Sequence, residues 1–194
     1  MKNEYFLFLI TLALFSFRSD NEIKDYLNVK GPINFDDQSF RLKWSQKNGN
    51  YYVQEYFTDG ESLEKFNKMI SLFVLDENIS IEDAVAIKKQ ELEEFKKTDP
   101  VCNYAITKSD DNTVLIDFLR GESEGDRMTI VEFNLYRYKQ IKIGKNKKAL
   151  IVYAFAERAY GAEITPFMKS LKDVRFDYIH KIFQIEIPDI ELID

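Results

Sequence analysis

Charged side chains set inside strand-like segments are where this sequence can do chemistry: Asp117, Glu132, Arg137, Glu157 and Arg158. From Thr129 to Tyr138, strand alternation groups Val131, Phe133 and Leu135 on one face and Glu132, Asn134, Tyr136 and Tyr138 on the other. A polar and aromatic face of this kind can line a ligand groove, with Arg137 or Arg158 nearby to meet an anion. The candidate binding set is therefore Glu132, Asn134, Tyr136, Arg137 and Arg158. The same pattern also suits a plain solvent face, or cross-strand ion pairs beneath a helix. Glu132 and Glu157 form a possible acid and base pair in principle. Only strand register decides whether they meet.

Other reactive groups are sparse. His180 is the one histidine and falls off the apolar stripe of the last helix, which implies a surface role. With no second histidine, and with Cys102 the only cysteine, the usual zinc ligand sets cannot be built and no disulfide can form within the chain. Cys102 can serve as a nucleophile only if His180 reaches it; a small buried thiol is the plainer role. No Gly-x-Ser-x-Gly, Gly-rich phosphate loop or His-Glu-x-x-His occurs. The run Asp110-Asp111-Asn112 lacks the Gly and distal Glu of a calcium loop, so turn chemistry explains it better. Gly121–Asp126 offers oxygens for a weak calcium site. No catalytic residue, resident metal or cofactor is assigned.

The elements that must position these residues start with two facing arms. Met128–Tyr138 and Ala149–Glu157 are dominated by β-branched and aromatic residues and flank a turn with Gly144 and Asn146, so they read as adjacent antiparallel inner strands. Ser39–Gln46 and Tyr51–Phe57 flank Asn48-Gly49, a strong hairpin signal. Ser62–Met69 spaces Leu63, Phe66 and Met69 like a short helix, and Ile70–Leu75 suits a buried strand. Ser80, with Asp83 three residues on, opens a helix over Ile81–Lys97 that ends at Asp99-Pro100. Lys88 falls in its apolar stripe, where the stem can lie on the core and the ammonium reach water. Asn103–Thr107 and Thr113–Leu119 form another hairpin, with Gly121–Asp126 a flexible link to the central pair. Thr165-Pro166 reads as a cap and first helical residue, ahead of Phe167, Leu171, Val174, Tyr178 and Ile182 on one face. The resulting class is α+β: an antiparallel sheet of about six to seven strands flanked by two long amphipathic helices and one short helix.

A chain of 194 residues with 16 Phe and 11 Tyr has material for one aromatic-rich core and little room for two domains. Tyr5–Phe17 is an apolar run of signal-peptide length and too short to span a bilayer. The expected organisation is thus a signal peptide over 1–18 and a single domain over 19–194, exported to a periplasmic or extracellular setting without a stable membrane anchor. Removing Lys2, Arg18 and Glu4 from 27 basic and 33 acidic residues leaves 25 and 32, a net charge of −7. Such an acidic chain lacks the footprint of a nucleic-acid binder.

Trp44-Ser45, Asn50-Tyr51-Tyr52-x-Gln54-Glu55-Tyr56, Glu61-x-Leu63-Glu64-x-Phe66, Leu115-Ile116-Asp117-Phe118 and Asn134-Leu135-Tyr136-Arg137-Tyr138 together resemble a family of small secreted bacterial proteins of unknown function. The element order also resembles the PsbP/Mog1-like α/β sandwich over residues 35–185. That likeness implies a curved antiparallel sheet with flanking helices, in a fold used mostly for binding or accessory roles.

The functional expectation is an exported, non-enzymatic binding or accessory domain that engages a protein or envelope partner through its sheet and hairpin loops. The alternative is a small-ligand pocket on the face carrying Glu132, Asn134, Tyr136 and Arg137. A hydrolase with an unrecognised site is the third reading.

Overall fold

A computed structural model describes residues 23–29, 31–109, 113–144 and 147–193. The apolar run Tyr5–Phe17 and the Asp110-Asp111-Asn112 turn lie outside the described residues. The sheet has eight strands, each antiparallel to its neighbours: β1 Ile33–Phe35, β2 Gln38–Asn48, β3 Tyr51–Phe57, β4 Lys68–Leu75, β5 Asn103–Lys108, β6 Val114–Glu124, β7 Arg127–Ile143 and β8 Lys147–Tyr160. Their spatial order is β1-β2-β3-β4-β8-β7-β6-β5, curled into a half-barrel. Two helices accompany it, α1 Ile81–Phe95 and α2 Ile164–Gln184.

The longest strands sit at the centre. In β7 and β8, Phe133 stands opposite Glu157, Leu135 opposite Phe155 and Tyr138 opposite Val152, as the β-rich arms implied. Alternation then sorts the side chains onto two faces, each with its own core. On one face, Leu72, Leu135, Tyr153 and Phe155 pack with Leu171, Tyr178 and Ile182 of α2. On the other, Ile116, Phe118, Tyr138 and Val152 pack with Ile81 and Leu92 of α1. The helices therefore cover opposite faces.

Local sequence explains most boundaries. The Ser80 side chain accepts the Asp83 N–H at 3.0 Å and donates to the Asp83 carboxylate at 2.7 Å, a two-way cap. Gly49 turns β2 into β3 at φ +59°, a conformation glycine adopts without a Cβ penalty. The chain after α2 is anchored by Glu191 N–H to Leu27 O at 3.1 Å and Ile193 N–H to Tyr26 O at 2.9 Å.

Several expectations are corrected. The sheet dominates the architecture with eight strands, not six to seven, because Ile33–Phe35 adds an edge strand. Ser62–Met69 is not a helix. Ser62 and Lys65 form an isolated bridge, and the neighbouring backbone bonds to β8: the Tyr160 hydroxyl donates to Phe66 O at 2.8 Å, and the Arg158 N–H to Asn67 O at 2.8 Å. Fewer than ten residues cannot offset the cost of helix nucleation against such partners. The proposed PsbP/Mog1-like arrangement, a sheet with two long helices and a short one, is thus replaced by a curled half-barrel with two helices. Gly121–Asp126 is not a loose link either, since β6 runs to Glu124 before it turns. Thr165 does not cap α2. A 3-10 turn at Gly161–Glu163 leads in, Glu163 is the cap residue, and Pro166 lies inside the first turn, where its missing N–H costs nothing.

Candidate functional site: a groove between α2 and the β5–β6 hairpin

Met168, Leu171, Lys172 and Arg175 follow the i, i+3, i+4, i+7 spacing that aligns side chains along one face of α2. Part of that face does not reach the sheet. It overhangs β5 and β6, and the space beneath is a groove of about 390 Å³. Leu119, Phe133, Met168 and Leu171 supply an apolar lining, while Asn103, Asp117, Lys172 and Arg175 supply polar groups.

Asp117 is the anchor of the polar side. It is buried at 4% exposure, and its carboxylate accepts the Arg175 Nε–H at 2.7 Å and Nη2–H at 2.9 Å. Burial pushes this carboxyl above its usual range, and the Arg175 hydrogen bonds pull it back. The fork fixes Arg175 and holds α2 over β6. Lys172, one turn earlier, is exposed and makes no ion pair among the described residues. The groove thus combines apolar walls, a buried carboxylate paired with a part-exposed guanidinium, and at the rim an ammonium with no ion-pair partner among the described residues.

The residues singled out from sequence do not form this groove. Glu132, Asn134, Tyr136 and Arg158 share the opposite, α1-covered face. Glu132 stands in register between Arg120 and Arg158. Its Oε2 accepts the Arg158 Nε–H at 2.8 Å, and its Oε1 accepts the Asn134 amide at 3.0 Å. That is a cross-strand ion pair. Tyr136 packs edge-on against Phe118 at 5.0 Å, and the Lys88 ammonium lies 5.0 Å from its ring centre. Arg137 points to the α2 side, where its Nη1 donates to the carbonyls of Ile182 at 3.0 Å and Ile185 at 2.6 Å. It closes the C-terminal end of α2, where carbonyls lack helical partners. Alternation also puts Glu157 on the face opposite Glu132, so those two carboxylates cannot act as an acid and base pair.

His180 is exposed and lies 2.9 Å from the Gln184 amide. Cys102 is buried, with its Sγ 3.6 Å from Leu92 O, and burial pushes its thiol up. Glu55, not singled out from sequence, is more unusual. Burial and the nearby Glu132 push its carboxyl up to about 7 against the opposing pull of Arg158, and its Oε2 is buried without a hydrogen-bond partner. Among the described residues, no group of three or more His, Cys, Asp or Glu could hold a metal ion.

Sequence reasoning flagged Asp117 as a charge in a strand but missed Arg175, which sits 58 residues away. A usable signal existed: Lys172 and Arg175 flank the apolar stripe of α2 at Leu171 and Val174, on the side where a neighbour must carry a carboxylate or leave water.

A protein-family model matches residues 27–187, from the lead-in before β1 to just past α2. No curated protein and no solved structure matches the chain. The likeness to the PsbP/Mog1-like sandwich is not supported.

Proposed function

We propose a binding role for this chain, which belongs to the uncharacterised family whose model it matches: it holds a small amphipathic anion in the groove between α2 and β5–β6. The observation that carries this reading is the Lys172 ammonium, which has no ion-pair partner among the described residues, at the rim of an apolar groove of about 390 Å³. That volume falls in the range of small-molecule sites, and such sites pair apolar walls with a few placed polar groups. The ligand's apolar body lies against Leu119, Phe133, Met168 and Leu171, and its anionic head meets Lys172. Arg175 adds positive potential but is committed to Asp117. A binding role is favoured over catalysis because the groove presents no pair of titratable groups free to exchange a proton.

An exported setting is part of the proposal. It rests on the apolar run Tyr5–Phe17 behind Lys2. Among the described residues, no helix is long and apolar enough to cross a membrane. N-terminal sequencing of the protein recovered from its own cells tests this: a start near Ser19 supports export, and a start at Met1 or Lys2 contradicts it.

The binding test uses 8-anilinonaphthalene-1-sulfonate, an amphipathic anion whose emission rises in apolar sites. Saturable enhancement that decanoate reverses, and that Lys172→Glu abolishes, is the expected result. Enhancement that ignores decanoate, or survives unchanged in Lys172→Glu, contradicts the reading.

A further inference from the structure

The two edges of the sheet differ in kind. β1 is three residues long, directly follows Pro32, and buries both Ile33 and Phe35. Shortness and a proline are common ways to blunt a sheet edge. β5 is twice as long, pairs with β6 in continuous register without a bulge, and contains no proline. It also shows Ile106 to solvent at 37% exposure, one of few large apolar side chains so exposed among the described residues.

Register identifies which backbone groups β5 leaves open. Ser109 N–H bonds to Thr113 O at 2.9 Å. Antiparallel ladders alternate, so Thr107, Ala105 and Asn103 also direct their N–H and C=O toward β6. Tyr104, Ile106 and Lys108 therefore direct theirs outward. Among the described residues, of these outward groups only the Tyr104 N–H has a local acceptor, Asn103 Oδ1 at 3.0 Å.

From this edge we infer that β5 pairs antiparallel with β5 of a second copy of the chain, about a two-fold axis at Ile106. The inference is independent of what the groove binds. An axis perpendicular to the sheet keeps each face with its like, so only residues of matching face can stand opposite. Of the registers that satisfy this rule, the one centred on Ile106 engages all three outward-facing residues. Ile106 then meets Ile106 of the second copy, and Tyr104 meets Lys108. Centring on Ala105 or Thr107 engages only two of the three. The Ile106 register is also complementary in side chains. It joins the two exposed isoleucines, and it sets each Lys108 beside Tyr104 of the second copy, whose hydroxyl donates to Glu93 at 2.5 Å and whose ring already has the Lys96 ammonium 4.4 Å from its centre. A cation beside an aromatic ring and a carboxylate is a favourable cross-strand pair. The contact is isologous, as a closed dimer requires.

A hydrogen-bonded antiparallel pair has Cα atoms about 5.5 Å apart, within disulfide reach. The test is therefore Ile106→Cys in a Cys102→Ser background, mildly oxidised, with Lys148→Cys in the same background as an exposed control on another strand. A covalent dimer from Ile106→Cys and not from the control is expected. Sedimentation velocity of the unaltered chain should show a monomer–dimer equilibrium between micromolar and millimolar concentration, which Ile106→Pro shifts to monomer. The folding of that proline variant is checked by circular dichroism, and Ile106→Lys serves as a second edge-blocking change. A chain that stays monomeric throughout, or cross-links equally at both cysteines, overturns the inference and leaves the edge to a foreign strand.

Discussion

Asp117 and Arg175 join the sheet to α2 through two parallel hydrogen bonds, Nε to Oδ2 at 2.7 Å and Nη2 to Oδ1 at 2.9 Å. The carboxylate is nearly enclosed and the guanidinium is 29% exposed. Removing either partner strands the other, and the stranded carboxylate is the worse case. Arg175→Ala is expected to cost about 2 to 3 kcal/mol, Asp117→Ala somewhat less, and the pair to show a coupling energy above about 1 kcal/mol. Urea unfolding of the two single variants and the double variant measures this directly.

How far the sequence foretold this arrangement depends on the range of the interaction. The β7–β8 pair, the Asn48-Gly49 hairpin and the Ser80 cap were legible because each rests on residues close in sequence or on strand alternation. Lys88 falls in the core-facing stripe as its spacing implied, but its ammonium bonds to Glu91 at 3.1 Å over the Phe118 and Tyr136 rings instead of reaching water. The Ser62–Met69 helix was misread because helical spacing over so few residues carries little weight against long-range bonds such as Tyr160 to Phe66. The residues picked from sequence and the residues of the groove differ for a related reason. Alternation correctly grouped Glu132, Asn134 and Tyr136, but it could not show that Arg158 and α1 would occupy that face. It also could not show that α2 would overhang β5.

Glu55 makes stability depend on pH in an unusual direction. Its folded carboxyl is raised from an ordinary 4.5 to about 7 by burial and by Glu132. A folded value above the unfolded one means the folded state holds the proton more tightly. Its stabilising effect is full below about 4.5 and is lost as pH rises through about 7. Glu55→Gln keeps the neutral shape at every pH. It is expected to match the unaltered chain near pH 5 and to exceed it at pH 8 by roughly 1 to 3 kcal/mol. Thermal unfolding of both proteins at the two pH values checks the sign.

Arg137 holds the C-terminal end of α2. Its Nη1 donates to Ile182 O and Ile185 O from a position only 4% exposed. Arg137→Met retains the stem but leaves those carbonyls without that donor, at a cost of about 2 to 3 kcal/mol. Amide exchange should quicken first in the last turn of α2, while groove binding persists.

Gly121 permits a close approach rather than a turn. A Cβ there would fall 2.6 Å from Val101 Cγ2 and 3.1 Å from Asp99 Oδ1. The Gly121 N–H donates to Asp99 Oδ2 at 2.8 Å, and the same oxygen accepts the Arg120 Nε–H at 3.1 Å. Gly121→Ala must push this segment off β6 and is expected to cost about 1 to 3 kcal/mol. Differential scanning calorimetry of the single variant measures it.

The most direct test of the groove as the binding site is a backbone amide chemical-shift map during titration with decanoate. The account expects saturable shifts concentrated at Asn103, Ala105, Leu119, Leu171, Lys172 and Arg175, and expects them to vanish in Lys172→Glu. Shifts centred on Glu132, Asn134 and Tyr136 across the sheet, or no saturable shifts at all, would contradict it.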